Sequence, residues 1–326
     1  MLPTMRPAGT GASEKMEKRK LGNSNLEVSA VGLGCNNFGG RMDLAATRAV
    51  VHRALDLGVT LFDTADAYGN KGGSEDFLGQ VFGARRKDVI LATKFGLPMK
   101  EPGSGGASRR YVMQAVEASL KRLRIDWIDL YQVHFPDPNT PIDESMRALD
   151  ELVRQGKVRA IGCSNFSMAQ IAKAQDTAKQ HGLAAFVTSQ DEYSLLVRDI
   201  ERERVPLLRR HGMSLLPYAP LASGFLTGKY RRGAPLPAGA RLSYSRHHAD
   251  DVVNDRNWRM VEELRDVAAR TGHSMLELAF GWLLAQPVTA SVIAGASTPE
   301  QMEQNVATAA RPPSPAVVAA IDAITR

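Results

Sequence analysis

Cysteine is nearly absent: Cys35 and Cys163 are the only two in 326 residues. Two thiols cannot build a disulfide framework, and neither has the neighbours of a metal site, so a reducing, cytoplasmic setting suits the chain and no metal is expected. A long uninterrupted apolar run is also missing. The longest, Leu278 to Ala296, is broken by Gln286-Pro287 and diluted by Thr289 and Ser291, which reads as a buried helix followed by a buried strand and not as a membrane span. No segment gathers Lys and Arg as a nucleic-acid-binding arm does, although the formal net charge is +6; such a charge favours anionic ligands or simply aids solubility. Residues 1–18 mix Pro, Gly, Ser and charge without an apolar core, so they read as a flexible N-terminal tail and not as a secretory signal. No Pro- or Ser-rich linker divides the remainder, so residues 19–326 are expected to form one domain.

What is present is an alternation. With 44% apolar and 23% charged residues, the chain has enough apolar side chains for a sizeable core. From Val31 onward, short apolar runs alternate with amphipathic segments, the rhythm of βα units. Eight strands are expected, at Val31–Gly34, Thr60–Asp63, Val89–Lys94, Ile128–His134, Ala160–Ser164, Phe186–Gln190, Leu215–Tyr218 and Ser291–Ala294. Each is apolar almost throughout, as strands covered on both faces are. Helical patterns fill the gaps, among them Arg109–Leu123 and Asp143–Gln155. Eight such units predict an α/β fold, a (β/α)8 TIM barrel. A Gly-, Pro-, Arg- and His-rich stretch from Leu221 to Asp255 makes a long loop after the seventh strand, the expected specificity loop. Helical segments at Pro299–Ala309 and Pro315–Ile324 form extra C-terminal helices.

The run Val31-Gly32-Leu33-Gly34-Cys35-Asn36-Asn37 superficially suggests a doubly wound dinucleotide fold. Asn37 stands where the third glycine belongs, and no ribose-binding acid closes a matching second strand, so that fold is set aside. The strand ends are more informative. Asp63 closes the second strand with Tyr68 just beyond it, Lys94 closes the third and His134 the fourth. In a barrel these ends converge on one mouth. One polar residue at a strand end is more often a cap than a catalyst, but four titratable residues on three successive ends are hard to dismiss.

The chemistry is coherent. A free tyrosine titrates near 10, and an adjacent lysine cation is expected to lower it, so Tyr68 beside Lys94 can act as acid or base. Asp63 would hold Lys94 by an ion pair, and His134 would polarise a substrate carbonyl by a hydrogen bond. This set suits proton transfer to an oxygen that becomes an alkoxide.

The segments Phe62-Asp63-Thr64-Ala65-Asp66-Ala67-Tyr68-Gly69, Ala92-Thr93-Lys94, Asp129-Leu130-Tyr131-Gln132-Val133-His134 and Ile161-Gly162-Cys163-Ser164-Asn165-Phe166 resemble successive signatures of the aldo-keto reductase superfamily, over about Lys20 to Asn305. The resemblance implies NADPH-dependent reduction of an aldehyde or ketone, with Tyr68 as general acid, Lys94 and Asp63 tuning it, and His134 orienting the carbonyl. It implies that Ser164, Asn165 and Gln190 hold the nicotinamide amide and that Tyr218 stacks on the ring. The pyrophosphate would lie along Pro220, Leu221, Gly224 and Leu226, where small residues let backbone N–H groups approach an anion, with Gly228-Lys229 extending that loop. Gly295, Ser297, Gln301, Gln304 and Asn305 match the adenosine-phosphate segment, where a helix N-terminus near Thr298 offers an anion site.

The sequence departs from many relatives in one respect: no Arg or Lys lies between Gly295 and Asn305 to meet a 2′-phosphate. NADP(H) is the preferred cofactor, with NAD(H) or dual use the alternative. Asn36, Asn37, Phe38, Arg41, Phe95, Phe135 and the segment Arg241–His248 are candidates to grip a small carbonyl substrate, and the arginines suggest a carboxylate or phosphate on it. Arg246-His247-His248 lacks ligand spacing and reads as a solvated loop. Two other readings stand beside the reductase: a sugar or polyol dehydrogenase running in the opposite direction, and a cofactor-binding regulatory subunit like those of potassium channels. Neither nucleic acid nor membrane is an expected partner, and the oligomeric state is open.

Overall fold

The structure, a computed structural model, describes residues 16–101, 103–237, 239–244 and 251–326. It opens with a feature the sequence does not announce, an antiparallel hairpin of β1 (Lys18–Lys20) and β2 (Glu27–Ser29). Three-residue strands are too short for a period to be read. Lys18, the last residue of the expected N-terminal tail, pairs with Ser29; residues 1–15 lie outside the described residues. Leu21 and Val28 of the hairpin are fully buried with Leu61, Leu130 and Leu216. Gly22 N–H donates to Ser214 Oγ, and Ser29 and Thr60 exchange backbone-to-hydroxyl bonds of 2.8 and 2.9 Å. The hairpin thus seals the end of the barrel where its strands begin.

Eight parallel strands follow: β3 (Val31–Gly34), β4 (Leu61–Asp63), β5 (Ile90–Phe95), β6 (Ile128–Val133), β7 (Val158–Ser164), β8 (Phe186–Glu192), β9 (Ser214–Tyr218) and β10 (Val292–Gly295). They are ordered β10-β3-β4-β5-β6-β7-β8-β9. The ring closes where Leu215 N–H donates to Val288 O at 2.7 Å and Ala290 N–H donates to Leu215 O at 3.0 Å. This is the (β/α)8 barrel expected, with all eight strands where the apolar runs placed them. The helices are α1 (Leu44–Asp56), α2 (Tyr68–Val81), α3 (Arg109–Leu123), α4 (Ile142–Arg154), α5 (Met168–His181), α6 (Arg204–Arg210), α7 (Asp255–Thr271), α8 (Met275–Leu284), α9 (Pro299–Ala307) and α10 (Pro315–Thr325). Their starts follow local chemistry: Ser167 and Ser274 each complete a capping box with Gln170 and Glu277, and Thr298 and Ser314 cap helices whose first residue is proline, devices worth about 1 kcal/mol each. Among the described residues no helix is long and apolar enough to cross a membrane.

Successive strand residues face opposite sides of a sheet, and that alternation builds the site. Leu61, Ala92, Leu130, Ala160, Leu216 and Ile293 fill the barrel interior. Two residues further along the same strands, on the same face, stand Asp63, Lys94, Gln132, Gly162, Tyr218 and Gly295, and His134 and Ser164 follow Gln132 and Gly162 at the same spacing. Residues of the other parity, such as Phe62, Tyr131 and Cys163, pack outward against the helices. The expected long loop after β9 is present in part. It contains a helical turn at Ala222–Thr227 and another at Arg241–Tyr244, while Arg246, His247 and His248 fall outside the described residues.

Candidate active site

Asp63 and Lys94 form the buried base of the site. Lys94 Nζ donates to Asp63 Oδ2 at 2.6 Å and to Thr64 O at 2.9 Å, with no exposed surface on the lysine. Asp63 Oδ1 accepts from Gln190 Nε2 at 2.8 Å and Gln132 Nε2 at 3.4 Å. Burial works against the Lys94 cation, but Asp63 and then Tyr68 outweigh it and hold the ammonium above its ordinary value. Removing one partner of such a pair leaves an uncompensated charge and costs about 3–5 kcal/mol.

Tyr68 lies above this pair, its ring centroid 5.0 Å from Lys94 Nζ. The lysine acts to lower the phenol, as expected, but a stronger opposing effect decides the net direction. Burial pushes Tyr68 up more than Lys94 pulls it down, so the hydroxyl keeps its proton through neutrality. A backbone device holds it there. Gly69, Asn70, Lys71 and Gly72, directly after Tyr68, all have positive φ, from 60° to 114°, and a Cβ on Gly69 would stand 2.3 Å from Phe38 O. Only glycine fits that approach.

His134 N–H joins Phe95 O at 2.9 Å, which fixes the residue at the end of β6. Its ring meets Tyr68 edge-on with centroids 5.6 Å apart and stacks on Phe135 at 5.2 Å. The ring is 7% exposed and its Nδ1 has no partner. Burial first, then the Lys94 cation, pushes His134 down to about 3, so it is neutral at neutral pH. We therefore expect a pH profile of kcat/KM without a histidine inflection between pH 5 and 8; a step near 6.5 that disappears in His134→Asn would show that His134 titrates there.

A cavity of about 1340 Å³ opens above these groups and contains the side chains of Asp63, Tyr68 and His134 in its wall. Ser164, Asn165, Gln190 and Tyr218 line it, already joined to one another and to the candidate catalytic residues. Ser164 Oγ donates to Gln190 O at 2.9 Å, Asn165 Nδ2 donates to Ser164 Oγ and to His134 O, and Tyr218 OH donates to Asn165 Oδ1 at 2.8 Å. Asn165 has φ 61°, a conformation asparagine tolerates better than most residues. Pro220, Leu221 and Gly224 form another part of the wall, and Gly295, Ser297, Gln301, Gln304 and Asn305 a third. Gln301 bridges the last of these, its Oε1 accepting from Ser297 N–H at 2.8 Å while Thr298 Oγ1 caps Gln301 N–H.

Of the substrate candidates, Asn36, Asn37 and Phe135 line the cavity, and Phe135 is 46% exposed at its mouth. Three other substrate candidates, Phe38, Arg41 and Phe95, do not, and neither does Leu226, expected at the pyrophosphate. Phe95 follows inward-facing Lys94, so its ring points outward and stacks on Tyr131 at 4.7 Å. Phe38 and Leu226 are wholly buried in the layer between barrel and helices. Arg41 is exposed and outside the lining.

Of the cations at the wall, Lys229 and Arg241 are among the expected site residues and Arg256 is not. Lys229, Arg241 and Arg256 bring cations to the cavity from the loop after β9 and the start of α7. No cation lies between Gly295 and Asn305, but the loop after β9 and the start of α7 bring cations to the same cavity. Gln132, buried beneath the wall and bonded to Asp63, stands two residues before His134 on the same strand face.

The family model for the aldo/keto reductase family matches residues 30–326. A protein from Arabidopsis thaliana named as a probable voltage-gated potassium channel subunit beta is 34% identical over 298 residues, covering 89% of this chain and 90% of that one. The L-glyceraldehyde 3-phosphate reductase of Escherichia coli is 33% identical over 302 residues, covering 90% and 87%. Among solved structures, the holo form of aldo-keto reductase AKR11C1 from Bacillus halodurans superposes with a TM-score of 0.80 at 34% identity, covering 95% of this chain and 97% of that one.

Proposed function

The chain belongs to the aldo-keto reductase family, and from that premise we propose that it is an NADP(H)-preferring cytoplasmic reductase of aldehydes or ketones, one domain over residues 19–326, with Tyr68 as its general acid. The observation that carries this reading is the buried Lys94–Asp63 pair set beneath a protonated Tyr68 and a neutral His134 at the wall of one large cavity.

The cavity suits a nicotinamide dinucleotide. Asn165, Ser164 and Gln190 offer amide and hydroxyl groups beside the catalytic set, and Tyr218 presents a ring for stacking. At Ser223 and Gly224 the backbone turns through positive φ of 57° and 88°, leaving small residues where a diphosphate would approach. The capped N-terminus of α9 faces the same space with Ser297 and Gln301, a setting that favours an anion. When bound there, the reduced cofactor supplies hydride to the carbonyl carbon. The protein's own part is to place the carbonyl oxygen between Tyr68 OH and the neutral His134 ring and to give up the Tyr68 proton as negative charge develops on that oxygen. Lys94, held charged by Asp63, stabilises the phenolate left behind.

Lys229 and Arg241 support the NADP(H) preference. Both line the cavity, and Lys229 Nζ would stand 3.1 Å from a Cβ on Gly224, beside the proposed diphosphate wall. Replacing both by Met is expected to lower kcat/KM for NADPH by about 10- to 100-fold while that for NADH changes less than about threefold, as loss of charge-assisted bonds to a phosphate predicts. Equal losses with both cofactors would remove the argument for NADP(H).

The reading as a whole is tested by titrating the chain with NADPH and NADH through tryptophan fluorescence and then following cofactor oxidation with a panel of aldehydes and ketones. A small phosphorylated aldehyde belongs in that panel, given the cations at the cavity and the named activity of the Escherichia coli relative. Dinucleotide binding with no turnover on any carbonyl would instead favour the second reading, a cofactor-binding regulatory subunit, which rests on the likeness to the Arabidopsis protein. Turnover only in the alcohol-oxidising direction would favour a dehydrogenase.

A further inference from the structure

Arg198 lies outside the cavity, in the connection that follows β8, yet three parts of the molecule meet on its guanidinium. Its Nε and Nη2 clamp Glu201 at 2.6 and 2.8 Å. Nη1 donates to Thr325 Oγ1 at 2.6 Å and reaches Asp322 Oδ1 at 2.9 Å, both on the C-terminal helix α10. The guanidinium carbon stands 4.5 Å over the ring of Trp282 in α8, and Trp282 Nε1 donates to the same Asp322 oxygen. The Arg198 side chain is only 10% exposed, so these charge-assisted bonds are shielded from water and stronger than surface pairs.

The residues just before Arg198 belong to the cavity wall. Leu196 and Val197 line it, and they sit in a tight turn in which Ser194 and Val197 exchange backbone bonds of 3.1 and 3.2 Å. Tyr193 N–H hooks this turn to Tyr218 O, and Tyr193 OH donates to the Glu201 held by Arg198. On the other side, α8 opens with the cavity residues Leu276 and Glu277 and ends just beyond Trp282. No described residue of α10 lines the cavity. The helix nevertheless holds both wall pieces through one planar fork, a role lysine cannot copy because it lacks the bidentate geometry and the flat face.

We propose that Arg198 is a positioning residue through which docking of α10 sets the affinity of the cavity for its dinucleotide. The inference rests on the functional reading above. It has a reciprocal consequence, since a helix that tightens ligand binding must itself be held more firmly when ligand is bound.

The test uses the full chain. Arg198→Met and Arg198→Lys are expected to raise the Kd for NADPH by about five- to tenfold, and Thr325→Val by about two- to threefold, with kcat at saturating cofactor and substrate within about twofold of the original. In the unaltered chain, NADPH should slow hydrogen exchange of the α10 amides, and in Arg198→Met that slowing should be lost. Should Arg198→Met not fold, Thr325→Val and Asp322→Asn carry the same readouts. Lowered thermal stability with unchanged Kd and no cofactor effect on α10 exchange would reduce Arg198 to a structural residue and overturn the proposal. Absence of dinucleotide binding by the unaltered chain would overturn the functional reading and this proposal with it.

Discussion

Tyr68→Phe is expected to lower kcat for carbonyl reduction by about 10³- to 10⁴-fold, the upper part of the range for removing a positioned general acid, while the Kd for the dinucleotide moves by less than about twofold. The asymmetry follows from where the hydroxyl acts. Phenylalanine keeps the ring that faces His134 edge-on and covers Lys94, so the wall of the cavity is preserved and only the proton donor is gone. Ground-state binding then survives and transition-state stabilisation does not, which appears in kcat and not in the cofactor's Kd. Because burial holds the Tyr68 proton above its ordinary range, reduction by the unaltered enzyme should stay level through neutral pH and decline only in strongly alkaline solution, where the donor is lost. Stopped-flow measurement of a single turnover across pH checks both points. Full turnover by Tyr68→Phe would end the assignment of the acid.

The barrel was legible because its signal repeats. Eight apolar runs at strand length, separated by amphipathic helices, constrain the fold more than any one boundary could, and the strand-end residues Asp63, Lys94 and His134 followed from the rule that strand C-termini share a mouth. What escaped has identifiable causes. The β1–β2 hairpin is too short to show a period, and its burial comes from tertiary contact with Leu61 and Leu216. Phe95 adjoins Lys94 in sequence, but strand alternation turns adjacent residues to opposite faces, so its ring leaves the mouth. Arg256 could not be joined to Lys229, Ser297 and Gln301 from sequence, since only the fold brings the start of α7 to the same wall. The Tyr68 shift has a related cause: the neighbouring Lys94 charge is legible in a motif, but the extent of burial opposing it is not.

Burial also decides the state of a carboxyl group that the chemistry does not use. Asp66, two residues before Tyr68, is 1% exposed, and its Oδ1 has no partner. It faces Glu75, also fully buried, whose own oxygens are taken by Thr93 Oγ1 at 2.6 Å and Arg122 Nε at 2.7 Å. Burial first, then the Glu75 charge, pushes Asp66 up to about 8, against the weaker pull of Arg122 and Lys94. In the unfolded chain the same group titrates near 4. Between about pH 4 and pH 8 the folded protein therefore keeps a proton that the unfolded chain releases, and stability falls as pH rises through that window. Asn has no such proton to lose. Asp66→Asn should accordingly be more stable than the original at pH 8, by several kcal/mol and at most roughly 5, the value of about four pKa units, and the gain should shrink toward zero as pH falls to 4. Activity at pH 7 should persist, because Asp66 is already neutral there and Asn reproduces its shape. Urea unfolding of both proteins at pH 4.5, 6 and 8 measures the difference directly. Parallel pH dependence in the two would mean that Asp66 is ionised in the folded state, with Arg122 and Lys94 prevailing over Glu75 and burial.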